Sequence, residues 1–489
     1  MSTQHDSATR LANFVGGESV DSTSGRSLPV TDPATGDVIA EVPMSTASDL
    51  DLAVRKAAEA QLEWGSTPIK DRVQVFFRMK ALMEAQVDHL AALITKENGK
   101  TKPEAVGSIL RAAECVEFAC SLPQLVPGEG LEVSRGVDCR TARFPIGVVA
   151  GITPFNFPLM VPLWMAPMAI GCGNAFILKP SEQTPLSALE LARLFTEAGL
   201  PPGVFSVVNG DREVVEAICD HPGIAAVAFV GSTRVAQAVY TRGTANYKRV
   251  RALGGAKNHL VVVPDADPEM TAANVVASVT GCAGQRCMAA SVLLAVGEVD
   301  HIIDRIRDKM AALVAGRDIG PMISGAAKDR VSGYIDRAGA TGVVLDGRDQ
   351  VAEEAPDGGY FIGPGIIEIT DPSHEAACDE IFGPVLTIMR CATLDEAIAI
   401  ENSNPYGNAA AIYTSSGGVA QRFVERAGAG MIGINIGVPV PREPFAFGGW
   451  QDSRFGEGDI TGYGAIDFWT QSKKITCKWS DEHRSNWMS

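Results

Sequence analysis

The sequence predicts an α/β fold with parallel sheets covered by helices on both faces. From residue 144 onward, apolar runs of strand length alternate with stretches of helical period, the order that builds parallel sheets. Those runs, among them "IGVVAGI", "AFILK" and "AAVAFV", are apolar throughout, as strands buried on both faces are. A length of 489 residues allows two or three domains with ample core.

Residues 46 to 121 read as helical, because Val73, Phe76, Phe77, Leu82, Val87, Leu90 and Ile94 recur near helical spacing. Gly99 in "ENGK" is placed to stop a helix. Next come strand "IGVVAGI", a helix near 159 to 172, strand "AFILK", helix "PLSALELARLFTEAG", strand "VFSVVN", a short helix, strand "AAVAFV" and a helix from Ser232. Ligands of such sheets bind at the C-terminal strand ends. The GxGxxG dinucleotide fingerprint is missing. Its nearest equivalent is "FVGST", where Gly231 and Ser232 lie between a strand and a helix start, as phosphate contact requires. A second α/β stretch, roughly 253 to 440, carries strands "HLVVV", "ASVLLAV", "PVLTIM", "AAAIYT" and "MIGINI". The tail "SKKITCKW" alternates like an exposed strand and invites pairing with another element or another subunit.

Composition excludes several functions. A net charge of −16 argues against nucleic acid, whose phosphates need clustered Lys and Arg, and gives no support for a basic membrane patch. Ten cysteines without a CxxC pair suggest neither a zinc site nor a disulfide framework, and fit a reducing cytoplasm. The N-terminus lacks the basic and apolar regions of a secretory signal. Phe144 to Leu178 is uncharged and imitates a membrane span. Pro154, Pro158, Pro162 and Pro167, with Asn156 and Asn174, interrupt it, so buried strand, loop and core helix are expected instead.

Six stretches in order, "TPFNFPLMVPLW", "LKPSEQTP", "FVGST", "ALGGAKNH", "GQRCMA" and "EIFGPV", resemble the aldehyde dehydrogenase superfamily over nearly the whole chain. Within it, "GGAKNH", "GQRCMA" and "GINIGVPVP" are similar to the CoA-acylating methylmalonate-semialdehyde dehydrogenases. The resemblance implies an aldehyde dehydrogenase-like α/β fold: a Rossmann-like NAD domain (1–122 and 143–252), a catalytic domain (253–445) and a small β oligomerisation arm (123–142, with 446–489 including the C-terminal strand). It also implies a homotetramer, a dimer of dimers.

Oxidising an aldehyde with NAD requires a nucleophile to add to the carbonyl, leaving a tetrahedral alkoxide that can donate hydride. A thiolate adds well and later leaves readily. By the resemblance, Cys287 is that nucleophile and Asn156 donates to the alkoxide. Lys179 and Glu182 follow a strand end where an adenosine ribose would lie. A carboxylate there accepts ribose hydroxyls and repels a 2′-phosphate, favouring NAD over NADP. Gln183 stands where family members often carry arginine. Glu380 and Phe382 match residues that hold the nicotinamide ribose and ring, and Thr153, Phe155 and Gly254 complete the implied cofactor contacts. Arg286 and Arg111 match two arginines that bind a substrate carboxylate, for which a guanidinium is well shaped. Arg111 also has Glu114 three residues on, the spacing of a surface ion pair.

An absent residue is equally informative. Hydrolytic members of the superfamily place a glutamate in an "ELGG" segment as the base that activates water. This chain reads "RALGGAKN", which puts Ala252 or Leu253 there, and neither accepts a proton. His259 lies past the match as a possible substitute. A thiol acceptor, with a pKa of about 8.5, needs less help than water, so coenzyme A is the expected co-substrate. A carboxylate β to the thioacyl carbonyl can leave as carbon dioxide, giving propionyl-CoA or acetyl-CoA from methylmalonate or malonate semialdehyde. Two alternatives are a hydrolytic oxidation of another carboxylated aldehyde and a catalytically silent NAD-binding scaffold. Arg442 and Glu443 in "PREPF" stand where related sequences tend to be less charged, and would alter substrate preference if that loop borders the pocket.

Overall fold

The structure is a computed structural model and describes residues 9–479. Its first large sheet has eight strands in the spatial order Arg454–Phe455, Arg249–Leu253, Ile224–Val230, Val148–Ile152, Ala175–Lys179, Phe205–Val207, Asn13–Val15 and Glu18–Val20. The five strands from Arg249–Leu253 to Phe205–Val207 run parallel. The chain winds outward from Val148–Ile152 through Ala175–Lys179, then returns to its other side at Ile224–Val230. This reversal of strand order opens a crevice at the C-terminal strand ends.

The uncharged stretch after Phe144 resolves into Val148–Ile152 and the helix Met160–Gly171, buried at every position. Enclosure on all sides removes any need for a polar face. The helices Gln74–Ala85, Val87–Asn98 and Lys102–Cys120 share its core. Gly99, at φ 83°, ends Val87–Asn98 in the left-handed conformation a glycine permits. Among the described residues, no helix is long and apolar enough to cross a membrane.

The second large sheet has the order Val343–Asp346, Gly365–Glu368, Val385–Cys391, Ala290–Val296, Asn258–Val262, Ala409–Tyr413 and Met431–Ile434, parallel except at the Val343–Asp346 edge. A third sheet joins Gly130–Ser134, Val137–Pro145 and Thr470–Cys477. The alternating tail thus pairs with its own chain, from Thr470 against Pro145 to Cys477 against Asp138.

Two features depart from expectation. Residues 446–489 are not wholly arm: Arg454–Phe455 extends the first sheet, and Trp469, ending the helix Gly464–Trp469, is fully buried in that sheet's core. The physical cause lies in Arg251, whose fully buried side chain donates to Gly456 O at 2.7 Å and to Asp459 at 3.2 Å, drawing the segment in. A buried guanidinium needs such partners. The second departure is a small sheet of Thr9–Arg10, Val38–Pro43 and Ser27–Thr31, in a segment whose sequence pattern gives no strand reading.

Candidate active site

The C-terminal ends of Val148–Ile152, Ile224–Val230 and Arg249–Leu253 meet the N-terminal ends of Ala290–Val296 and Val385–Cys391 around a cavity of about 370 Å³. Phe155 and Asn156 line it from the first strand end, Gly231 and Ser232 from the second, and Gly254 from the third. Cys287, Glu380 and Phe382 close it from the second sheet. A second cavity, of about 420 Å³, lies on the other side of Cys287 and is lined by Arg111, Arg286 and Arg442 among others. The thiol therefore stands where the two spaces join.

The backbone that carries Cys287 is held from several directions. Its carbonyl accepts from Asn258 Nδ2 at 2.8 Å and Asn408 Nδ2 at 2.9 Å. The turn before it contains Cys282 and Ala283 at φ 55° and 52°, values that cost non-glycine residues energy and persist only where packing enforces them. Gly284, at φ 70°, packs so closely that a Cβ would lie 2.1 Å from Gly383 O. Asn156 is buried and donates one Nδ2 hydrogen to Gln285 O at 3.0 Å, while its Oδ1 has no partner. An amide nitrogen carries two hydrogens, so a second remains for a substrate oxygen.

Electrostatics set the resting state of the thiol. Burial, and then the charge of Glu380, push Cys287 up to about 12 against the opposing N–H groups of Cys287 and Met288 and the charge of Arg286. Glu380 accepts from Ala256 N–H at 3.1 Å. Burial pushes its carboxyl up to about 7, opposed by that N–H and by Lys257 and Arg330. Phe382, at φ 53°, meets Phe155 edge to face with ring centres 6.0 Å apart.

Four further expected residues gather outside this cavity. Thr153 N–H donates to Lys179 O at 3.1 Å, Lys179 Nζ lies 3.2 Å from Glu182, and Gln183 N–H donates to Ser181 Oγ. Lys179, Glu182 and Gln183 stand at the C-terminal end of Ala175–Lys179, one strand further along the sheet, and Thr153 follows the end of Val148–Ile152 beside it. Ala252 and Leu253 are core residues. His259 is buried in Asn258–Val262 and lines a different cavity beside Cys378, where burial and then Lys257 push it down to about 3. It is no base for chemistry at Cys287.

The two arginines differ. Arg286 Nη2 donates to Ala277 O at 2.6 Å and Ser278 O at 2.8 Å, which fixes the guanidinium beside the second cavity. Arg111 reaches the same cavity with its guanidinium already engaged. It donates to Glu443 at 2.6 Å, Glu114 at 2.9 Å and Pro441 O at 3.1 Å. The spacing to Glu114 signalled the ion pair; nothing local signalled Glu443, 332 positions away.

Sequence reasoning missed Lys100 and Asn98. Lys100 is buried, donates to Asn98 Oδ1 at 2.9 Å and to Asn156 O, and lies 4.3 Å from the Phe157 ring centre. Asn98 Nδ2 donates to Phe155 O at 3.0 Å. The "ENGK" stretch thus clamps the backbone that presents Asn156. The glycine stop is legible in it, but no spacing rule marks a lysine that turns inward.

The Aldehyde dehydrogenase family profile matches residues 19–475. Malonate-semialdehyde dehydrogenase 1 of Geobacillus kaustophilus (strain HTA426) is 45% identical over 487 residues, covering 98% of this chain and 99% of its own. The structure of methylmalonate-semialdehyde dehydrogenase from Oceanimonas doudoroffii superposes with a TM-score of 0.94 at 41% identity, over 97% of this chain and 99% of that one. A Sinorhizobium meliloti 1021 structure, assigned as a methylmalonate-semialdehyde dehydrogenase and complexed with NAD, gives a TM-score of 0.95 at 41% identity, over 98% and 99%. With a cysteine held at the meeting of two sheets, and with relatives matching end to end, this chain belongs to the aldehyde dehydrogenase family.

Proposed function

We propose that the protein oxidises malonate or methylmalonate semialdehyde with NAD and coenzyme A, releasing carbon dioxide and acetyl-CoA or propionyl-CoA. The observation that carries this reading is the setting of Cys287: a thiol at the junction of two cavities, with core alanine and leucine at the positions where a hydrolytic base would stand.

The residues fit NAD. The first-turn N–H groups of the helix Thr233–Ala245 receive no side-chain cap from Ser232, leaving donors for a pyrophosphate beside Gly231 and Gly254. Glu182 and Glu380 are acceptors for ribose hydroxyls, Gln183 and Thr153 flank the adenosine end, and Phe155 and Phe382 offer apolar faces to the nicotinamide. When bound, NAD supplies the acceptor for the aldehyde hydride. Of these residues Thr153, Phe155, Glu182, Gln183, Gly231 and Ser232 fall in the NAD-binding unit of 1–122 and 143–252, while Gly254, Glu380 and Phe382 join the nucleophile in 253–445.

Cys287 Sγ adds to the aldehyde carbon, and the resulting alkoxide accepts from Asn156 Nδ2 and the Cys287 N–H. Arg286 draws the substrate carboxylate to the far side of the thiol. Loss of hydride leaves an acyl thioester on Cys287. The thiolate of coenzyme A takes the acyl group and returns Cys287 as its thiolate; the β-carboxylate departs as carbon dioxide, its C–C electron pair passing into the thioester carbonyl as an enolate whose carbon then takes a proton from water. Assembly as a homotetramer through the exposed strand Gly130–Ser134, and residence in the cytoplasm, complete the reading.

A second reading ends in a free acid: Glu380, near the thiol and pushed up to about 7, has the acidity of a base that could activate water. Rapid quenching after mixing malonate semialdehyde and NAD without coenzyme A separates the two. An acylated Cys287 peptide accumulating with one burst of NADH supports the acylating reading. Steady turnover with no accumulated adduct contradicts it.

A further inference from the structure

Arg111, which lines the cavity on the Arg286 side of Cys287, is already paired with a carboxylate, Glu443, that stands behind that lining. Arg111 lies on the helix Lys102–Cys120, while Arg442 and Glu443 come from the loop after Met431–Ile434. Arg111 Nη1 donates to Glu443 Oε2 at 2.6 Å and to Glu114 Oε2 at 2.9 Å, and Nη2 to Pro441 O at 3.1 Å. Three of the five N–H donors a guanidinium owns are thereby committed. Glu443 is held on both oxygens, since Cys115 Sγ–H donates to its Oε1 at 3.4 Å.

Exposure ranks the contacts. The Arg111 and Glu443 side chains are 16% and 10% exposed, so their pair is shielded from water, where attraction is strong and a broken partnership is costly. Arg442 pairs with Glu114 at 2.6 Å, but these side chains are 70% and 40% exposed, and such a pair is held weakly. Two guanidiniums and two carboxylates leave this cluster neutral. Without the Glu443 charge the cluster would carry one net positive charge, beside the Arg286 and Glu104 that also line the cavity.

We propose that Glu443 occupies Arg111 in place of the substrate's carboxylate and so sets how strongly the enzyme prefers a carboxylated aldehyde to an uncharged one of similar size. A substrate carboxylate directed at Arg111 must displace Glu443 or meet its charge, so Arg286 supplies carboxylate recognition and the protein accepts short uncharged aldehydes alongside semialdehydes. The inference rests on the reading that the substrate enters on the Arg286 side of Cys287.

The test uses the full-length enzyme and its E443Q variant, which keeps the side-chain shape and removes the charge. Initial NADH formation with NAD and coenzyme A is measured against malonate semialdehyde and against propanal, which replaces the carboxylate by a methyl group. The kcat/KM ratio of malonate semialdehyde to propanal is expected to rise about tenfold in E443Q, with the change in the KM for malonate semialdehyde. An unchanged ratio overturns the proposal, as does an equal fall on both substrates, the signature of a structural role. Wild-type enzyme that oxidises propanal but not malonate semialdehyde would instead overturn the proposed function. A wild type active on both, with a ratio that E443Q does not move, removes only the inference.

Discussion

The proposed mechanism requires Cys287 as a thiolate, yet burial and Glu380 hold its thiol at about 12. Glu380 itself stands at about 7, so at pH 8 it is mostly ionised and opposes thiolate formation, whereas at pH 6 it is mostly neutral. E380Q is therefore expected to label at Cys287 with iodoacetamide several-fold faster than wild type at pH 8 and at nearly the same rate at pH 6. Peptide mapping of the alkylated residue checks both. For Asn156, whose amide keeps one hydrogen for the substrate oxygen, N156A is expected to lower kcat by about 10² to 10³, a loss of roughly 3 kcal/mol of transition-state stabilisation, with little change in KM. The cysteine and asparagine were legible because their neighbours form ordered motifs. The engagement of Arg111 by Glu443 was not, because it joins a helix to a loop 332 residues later.

At the scale of elements, the turn from Asn98 to Glu104 serves both halves of the site. Lys100 and Asn98 hold the carbonyls of Asn156 and Phe155, while Glu104 caps its own helix through Thr101 and accepts the Cys282 N–H at 2.5 Å. Lys100 is thus a positioning residue for Asn156. K100M is expected to lower kcat at least tenfold in the wild-type background but by less than twofold in N156A, because its effect passes through that asparagine. Equal losses in both backgrounds would show a separate role. Helices from residue 47 to 120 and the apolar strands of both sheets were readable from period and composition, since burial on one face or both leaves a repeat in the sequence. The placement of residues 454–469 was not, because a buried arginine and a two-residue strand leave no period.

For the whole molecule, the decisive geometry is the meeting of two parallel sheets: C-terminal strand ends of one face N-terminal strand ends of the other across the thiol. Most of the motifs that carried the family resemblance fall at these junctions, so a linear reading names residues that the fold gathers around one cavity, while the sheets' mutual placement stayed hidden. The third sheet offers Gly130–Ser134 as an outer strand with Leu131 70% and Val133 53% exposed, an edge suited to pairing between subunits. Replacing both residues with lysine is expected to reduce the assembly mass in light scattering while leaving the far-ultraviolet circular dichroism unchanged; an unchanged mass would exclude this strand from the interface.

The central claim is that the thioester on Cys287 passes to coenzyme A because no group replaces the hydrolytic base. It is tested most directly by following NADH from malonate semialdehyde with and without coenzyme A and identifying the product by mass spectrometry. The account predicts sustained turnover only with coenzyme A, yielding acetyl-CoA. Sustained turnover without it, yielding a free acid, would contradict the account and show that another group activates water.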